Sequence, residues 1–116
     1  MKRLSLAILT GLALSGCSTV QSSRNDTPTF EGSTAHSLGQ FQSCFIDQFA
    51  GDTVQPAYTP RESGGSYVER IGLLQNYVAW VVDITDTGKE RHVVLHAKGS
   101  IWGPNKKLIA KVQSCL

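Results

Sequence analysis

The chain has 116 residues, of which 41% are hydrophobic and 17% are charged, with 11 basic and 9 acidic side chains. That length corresponds to one domain. Lys2 and Arg3 account for the excess of basic residues, so the rest of the chain is neutral. A neutral chain lacks the basic surface that attracts nucleic acids or anionic lipid head groups, and we therefore expect no nucleic-acid partner.

The N-terminal segment has three parts in a fixed order. Lys2 and Arg3 precede an apolar run from Leu4 to Leu14, and small residues follow before Cys17. A membrane-spanning helix needs about 20 apolar residues, but polar residues begin here at Ser18. A positive start, a short apolar run and a small-residue cleavage site are typical of a secretory signal peptide. We therefore predict that residues 1–16 are a signal peptide and are removed.

The four residues Leu14-Ser15-Gly16-Cys17 resemble the lipobox of bacterial lipoproteins. In that family a dedicated signal peptidase cuts before the cysteine, which carries a thioether-linked diacylglycerol and an acylated amine, palmitate being a typical acyl chain. The resemblance implies that Cys17 is the first mature residue and anchors the chain in a membrane facing the periplasm or the exterior. Ser18 stands where an inner-membrane retention signal would place Asp, which by analogy with Gram-negative sorting favours the outer membrane.

Two cysteines, Cys44 and Cys115, remain if Cys17 carries lipid. An exported chain meets an oxidising compartment, in which disulfides persist. We therefore predict a Cys44–Cys115 disulfide, which in the chain-entropy description contributes roughly 4 kcal/mol. The alternative is a pair of buried free thiols.

The residues after the lipobox differ in composition from the rest of the chain. Residues 17–35 are rich in Ser, Thr, Asn, Asp, Gly and Pro and contain few apolar residues. Such a composition buries too little apolar surface to order itself. We predict a lipidated flexible tether over residues 17–35 and a small α+β domain over residues 36–116.

The domain begins with a predicted helix that is capped by Thr34 or Ser37 and ends near Phe49. Its apolar residues fall at steps of three and four and so share one face of the helix. They are Leu38, Phe41, Phe45 and Phe49. The segment from Asp52 to Ser66 contains two prolines and two glycines, which is typical of a loop or a loose strand.

Three strands and a second helix are predicted to follow. The strands cover residues 66–73, 76–85 and 90–102, with turns at 75–76 and at Asp86-Thr87-Gly88. In the second strand, alternate residues are predicted to point to opposite faces of the sheet. One of these faces carries Val78, Trp80, Val82 and Ile84. Gly103 and Pro104 break the third strand, and Asn105 can cap a helix with an apolar stripe.

This order predicts an α+β fold of the form α-β-β-β-α. A three-stranded antiparallel meander would carry the N- and C-terminal helices on one face. One disulfide between Cys44 and Cys115 would link the two helices across the sheet.

Two motifs in the sequence resemble catalytic or metal-binding motifs, but both have simpler explanations. Asp86-Thr87-Gly88 matches the tripeptide of aspartic proteases, but it is followed by Lys89 and Glu90 and lies where a hairpin must turn. His92 and His96 are four residues apart on a strand, hence about 13 Å, which is too far for one metal ion. We expect no catalytic residues, no metal site, no cofactor and no enzymatic activity.

The strand face away from the two helices is the predicted partner surface. Its residues are His92, Val94, His96, Lys98 and Trp102. Together with the anchor, it predicts a cell-envelope lipoprotein that binds another envelope protein, as an accessory, immunity or exclusion lipoprotein does. The alternative is a lipoprotein that carries or senses a small ligand.

Overall fold

The computed structural model of the protein describes residues 19–98 and 105–116. Within these residues the chain forms three helices and five strands. They are α1 (Val20–Arg24), β1 (Phe30–Thr34), α2 (Leu38–Asp47), β2 (Ala57–Arg61), β3 (Gly64–Ile71), β4 (Tyr77–Asp86), β5 (Arg91–Ala97) and α3 (Lys106–Gln113). The predicted signal peptide, Cys17 and Trp102 lie outside the described residues.

The described strands form one antiparallel sheet in the order β1-β5-β4-β3-β2. Three successive hairpins connect β2, β3, β4 and β5, and β1 pairs with the far side of β5. The central strand is therefore β4. The polar strands β1 and β2 form the two edges.

The prediction of a three-stranded meander with two flanking helices is wrong. The sheet has two further strands, β1 and β2, and α1 adds a third helix within the described residues. Residues 19–35, which belong to the predicted flexible tether, contain α1 and β1. A strand at a sheet edge gains its order from backbone hydrogen bonds to its neighbour, so it needs few apolar side chains of its own.

The main core lies on the sheet face that is covered by α2 and α3. Ser37 caps α2, and its side chain accepts a hydrogen bond from the backbone N–H of Gln40. The predicted aromatic stripe of α2 then packs on the inward residues of the sheet. The buried members of this core are Phe41, Phe45, Phe49, Tyr67, Trp80, Val82, Ile84, Val93, Leu95, Val112 and Cys115. Residues of α2 and α3 therefore share one core with the inner face of the sheet.

A disulfide joins Cys44 of α2 to Cys115, two residues after the end of α3. The carbonyl oxygen of Leu116 also accepts a hydrogen bond of 3.0 Å from the Thr34 hydroxyl at the end of β1. The C-terminus is therefore fixed both to a helix and to an edge strand.

The opposite face of the sheet, called the outer face below, carries α1. Val20 of α1 packs on a small cluster formed by Val68, Val78 and Val81. Val78 was predicted to share a face with Trp80, but the register between β3 and β4 shifts between Glu69 and Arg70. One extra residue at this β-bulge reverses the alternation, so Val78 belongs to the outer face.

Two hairpin turns lie at opposite ends of the sheet. Asp86-Thr87-Gly88 turns between β4 and β5 as predicted, and the Asp86 carboxylate accepts a hydrogen bond from the backbone N–H of Gly88. Gly72 to Gln75 turns between β3 and β4, with a backbone hydrogen bond of 3.1 Å from Gln75 to Gly72. We call the end of the sheet with this second turn the β3–β4 end.

Candidate functional site

The predicted partner surface on β5 is only partly exposed. His92, Val94 and Lys98 are half-buried on the outer face, and the Ser33 hydroxyl of β1 lies 3.4 Å from Nδ1 of His92. The Lys98 ammonium lies 5.3 Å from the centre of the Tyr77 ring. These contacts hold the exposed parts of β5 against neighbouring strands.

His96 does not belong to an exposed surface. Its exposed fraction is 8%, and within the described residues its Nδ1 has no hydrogen-bond partner. The prediction of exposed strand-face histidines is therefore wrong for His96. On this face α1 lies against β4 and β5, whereas the predicted fold placed no helix there.

A partly buried carboxylate, Asp83, lies on the outer face at the end of α1. Nε and Nη2 of Arg24 each donate to one of its oxygens at 2.8 Å. Ser66 on β3 donates at 2.6 Å, and Nη1 of Arg61 on β2 donates at 3.2 Å. This network connects α1, β2, β3 and β4, and it fixes the position of two arginines.

The protonation of the network follows from these contacts. Burial by itself raises the pKa of Asp83, but the hydrogen bonds from Arg24 and Ser66 and the charges of Arg24 and Arg61 outweigh it, so the pKa lies below its ordinary value. The hydrogen bond to Asp83 in turn raises the pKa of Arg24, against the opposing effect of burial. Asp83 is therefore ionised at neutral pH.

A groove of about 270 Å³ lies beside this network, between α1 and the edge strand β2. Its lining residues are Val20, Arg24, Ala57, Thr59, Arg61, Ser66, Val68 and Arg70. Three of these described residues are arginines and none is acidic. Asp83 neutralises one positive charge, so the groove keeps an excess of about two.

The arginine groove was not predicted from the sequence. Arg24 fell within the predicted tether, and Arg61 fell within a segment predicted to be a loop or a loose strand. The sequence predicted a common position only for Ser66, Val68 and Arg70. They are every second residue of a predicted strand and therefore share one of its faces. The pairing of β2 with β3 brings the separate segments together.

An exposed apolar pair forms a second candidate site. Leu73 is fully exposed and Leu74 is 83% exposed, at the tip of the β3–β4 turn. Ile71, at the end of β3, adds apolar surface beside them. Adjacent exposed leucines at a turn are unusual, because turns are normally polar.

The histidine and aspartate motifs do not form a cluster with other ligands. Within residues 19–98 and 105–116, no group of three or more His, Cys, Asp or Glu side chains is placed to hold a metal ion. Asp86 accepts hydrogen bonds from the Gly88 backbone and from Nη1 of Arg91. Its role in the described structure is to hold a turn.

Comparisons with known proteins give no assignment. No protein family, no curated protein and no solved structure matches the chain. No helix in the described part of the chain combines the length and hydropathy that crossing a membrane requires.

Proposed function

We propose that the chain is a lipid-anchored protein of the cell envelope whose disulfide-linked domain binds a partner protein. The observation that carries the proposal is the run Leu14-Ser15-Gly16-Cys17, followed almost directly by an ordered domain from Thr19. The anchor is Cys17 in the outer membrane. It concentrates the domain at the membrane, so that weak binding becomes effective.

The arginine groove is the proposed binding site on the domain. Arg61 and Arg70 extend at its exposed rim, while Arg24 is held by Asp83 at its base. Guanidinium groups bind carboxylates with planar, paired hydrogen bonds. The partner segment that fits is therefore acidic and extended, and it lies along the edge strand β2.

A small-ligand carrier remains the second proposal. The groove volume of about 270 Å³ lies just below the range of about 300–1,000 Å³ that small-molecule sites occupy. A small dianion could balance the excess positive charge of the groove. The size of the molecule that binds separates this proposal from the first.

The anchor is tested by intact-mass analysis of protein purified from the envelope fraction of a bacterial host. The expected mass corresponds to a chain that begins at Cys17 and carries a diacylglycerol and an acyl group. The Cys17→Ser variant is expected to lack that added mass. An unmodified precursor from the parent sequence would contradict the anchor.

The groove is tested by titrating the lipidated protein with a fluorescent hexaglutamate peptide. Replacing Arg61 and Arg70 by Gln is expected to weaken binding about two- to thirtyfold, because each exposed charge pair contributes about 0.2–1 kcal/mol. The matched control replaces Lys106 and Lys107, two exposed lysines of α3, by Gln and removes the same charge. Equal effects of the two double variants would contradict the groove.

The partner is identified in cells by placing p-benzoylphenylalanine at Thr59 in the groove and, as a control, at Lys107 on α3. A protein crosslinked at position 59 alone supports the first proposal, provided that the double arginine variant loses it. In vitro, competition by inorganic phosphate as effective as hexaglutamate would favour the small-ligand carrier.

A further inference from the structure

The direction of α1 determines where a lipid on Cys17 must lie. Val20, at the start of α1, packs on the cluster of Val68, Val78 and Val81, and Val78 is the second residue of β4. Arg24 ends α1 over Asp83, further from the β3–β4 turn. The N-terminus of α1 therefore lies towards the β3–β4 end of the sheet.

The chain between the anchor and the domain is short. Thr19 is the N-cap of α1, and Ser18 is the one residue between it and Cys17. Two residue steps span at most about 7 Å. A lipid on Cys17 therefore holds the β3–β4 end close to the bilayer, in contrast to the long spacer that composition predicts.

The same end carries the exposed apolar pair. Leu73 and Leu74 are the two central residues of the turn that the Gln75 to Gly72 hydrogen bond closes. They contact little of the protein, as their exposure shows. A turn fixed in this way presents both side chains to whatever lies beyond the end of the sheet.

The residues just behind the tip suit the boundary between lipid and water. Arg70 lies at the outer-face end of β3, and Lys98 lies over the Tyr77 ring at the start of β4. Aromatic rings and long basic side chains are enriched at membrane interfaces, where their apolar parts contact lipid and their polar ends reach water.

We infer that the β3–β4 turn is a second membrane contact, in which Leu73 and Leu74 insert into the bilayer beside the lipid on Cys17. The occupant of this apolar tip is lipid, because the short link from Cys17 brings the bilayer to this end. The strands then stand upright on the membrane, and the arginine groove faces sideways. The inference rests on the proposed lipid anchor.

The test uses the full lipidated protein in vesicles that contain brominated phosphatidylcholine, a quencher of tryptophan fluorescence. Leu74→Trp places a tryptophan at the tip, and Lys89→Trp places one in the exposed β4–β5 turn at the other end of the sheet. The emission added by each variant over the parent is measured. A tip that inserts about 5–10 Å is expected to lose about half of its added emission, and the control almost none.

The outcomes separate the two proposals. If intact mass shows no lipid on the parent, both the anchor and the docking of the tip are overturned. If the lipid is present but Leu74→Trp is quenched no more than Lys89→Trp, the anchor stands and the docking is overturned. Strong quenching at position 74 alone supports the docking.

Discussion

At the scale of single residues, Asp83 connects several elements on the outer face. It receives hydrogen bonds from Arg24, Ser66 and Arg61, which come from three different elements. Its carboxylate therefore links α1 to the edge strand β2, which borders the groove. Loss of this charge should affect stability and groove geometry together.

Replacing Asp83 by Asn is expected to lower the free energy of unfolding at pH 7 by about 1–3 kcal/mol, because hydrogen bonds to a charged group are lost. The folded state lowers the pKa of Asp83. Its contribution is therefore present above the unfolded value of about 3.9 and disappears as the pH falls through the lower folded value. Urea unfolding at pH 7 and about pH 2.5 measures both effects.

The difference between the parent and Asp83→Asn should thus shrink in acid. Asp26→Asn, at an exposed position between α1 and β1, serves as the control and should change little. A difference that is equally large at both pH values would show that the shape of the Asp83 side chain, and not its charge, stabilises the network.

The groove illustrates why sequence reasoning misses a site at this scale. Arg24 and Asp83 are 59 residues apart, and nothing in either local pattern indicates that they pair. Arg61 and Arg70 enter the groove only through the β2–β3 register. A neutral net charge also hides local excess, because acidic residues elsewhere balance the arginines.

At the scale of elements, the disulfide compensates for a short helix. α3 has eight residues and its cap residue, Asn105, makes no side-chain hydrogen bond to the helix. Isolated helices shorter than about 12–15 residues are marginal in water. Tertiary contacts and the Cys44–Cys115 bond must therefore hold α3 on the sheet.

Replacing Cys44 and Cys115 together by Ala is expected to lower the free energy of unfolding by about 2–5 kcal/mol. Hydrogen exchange should accelerate most in α3 and at the C-terminus, because these lose their covalent link to α2. Urea unfolding and exchange on the purified protein measure the two effects. Addition of a reductant should destabilise the parent in the same way and leave the double variant unchanged; an insensitive parent would contradict this role.

The elements that sequence reasoning located are those with strong periodic burial. The aromatic stripe of α2 and the alternation in β4 predicted real elements to within a few residues. Their regularly spaced apolar residues are buried in the core. α1 and β1 offered no such pattern, because they contain mostly polar residues and rest on neighbours for their order. β2 is exposed throughout and contains Pro60, so its composition indicates a loop.

At the scale of the whole molecule, the short link between the proposed lipid on Cys17 and the domain would limit how the sheet can be oriented. Burying two leucines is worth about 3–6 kcal/mol at most, which does not by itself give stable anchoring. A lipid nearby makes this second contact nearly intramolecular, so its effective concentration is high. Orientation should then depend on the length of the chain between Cys17 and α1.

A 20-residue Gly-Ser insertion between Ser18 and Thr19 should therefore weaken docking without removing the anchor. Its root-mean-square length is about 25 Å, and the effective concentration of the tip should fall by about tenfold or more. Hydrogen exchange at residues 72–76 in vesicles, slow in the lipidated parent, should approach the rate of the Cys17→Ser variant. Exchange in the Asp86–Gly88 turn should not change, because that turn lies at the other end of the sheet. If residues 72–76 stay fully protected despite the insertion, the tip binds the membrane without help from the short link. The short link would then have no role in orienting the domain.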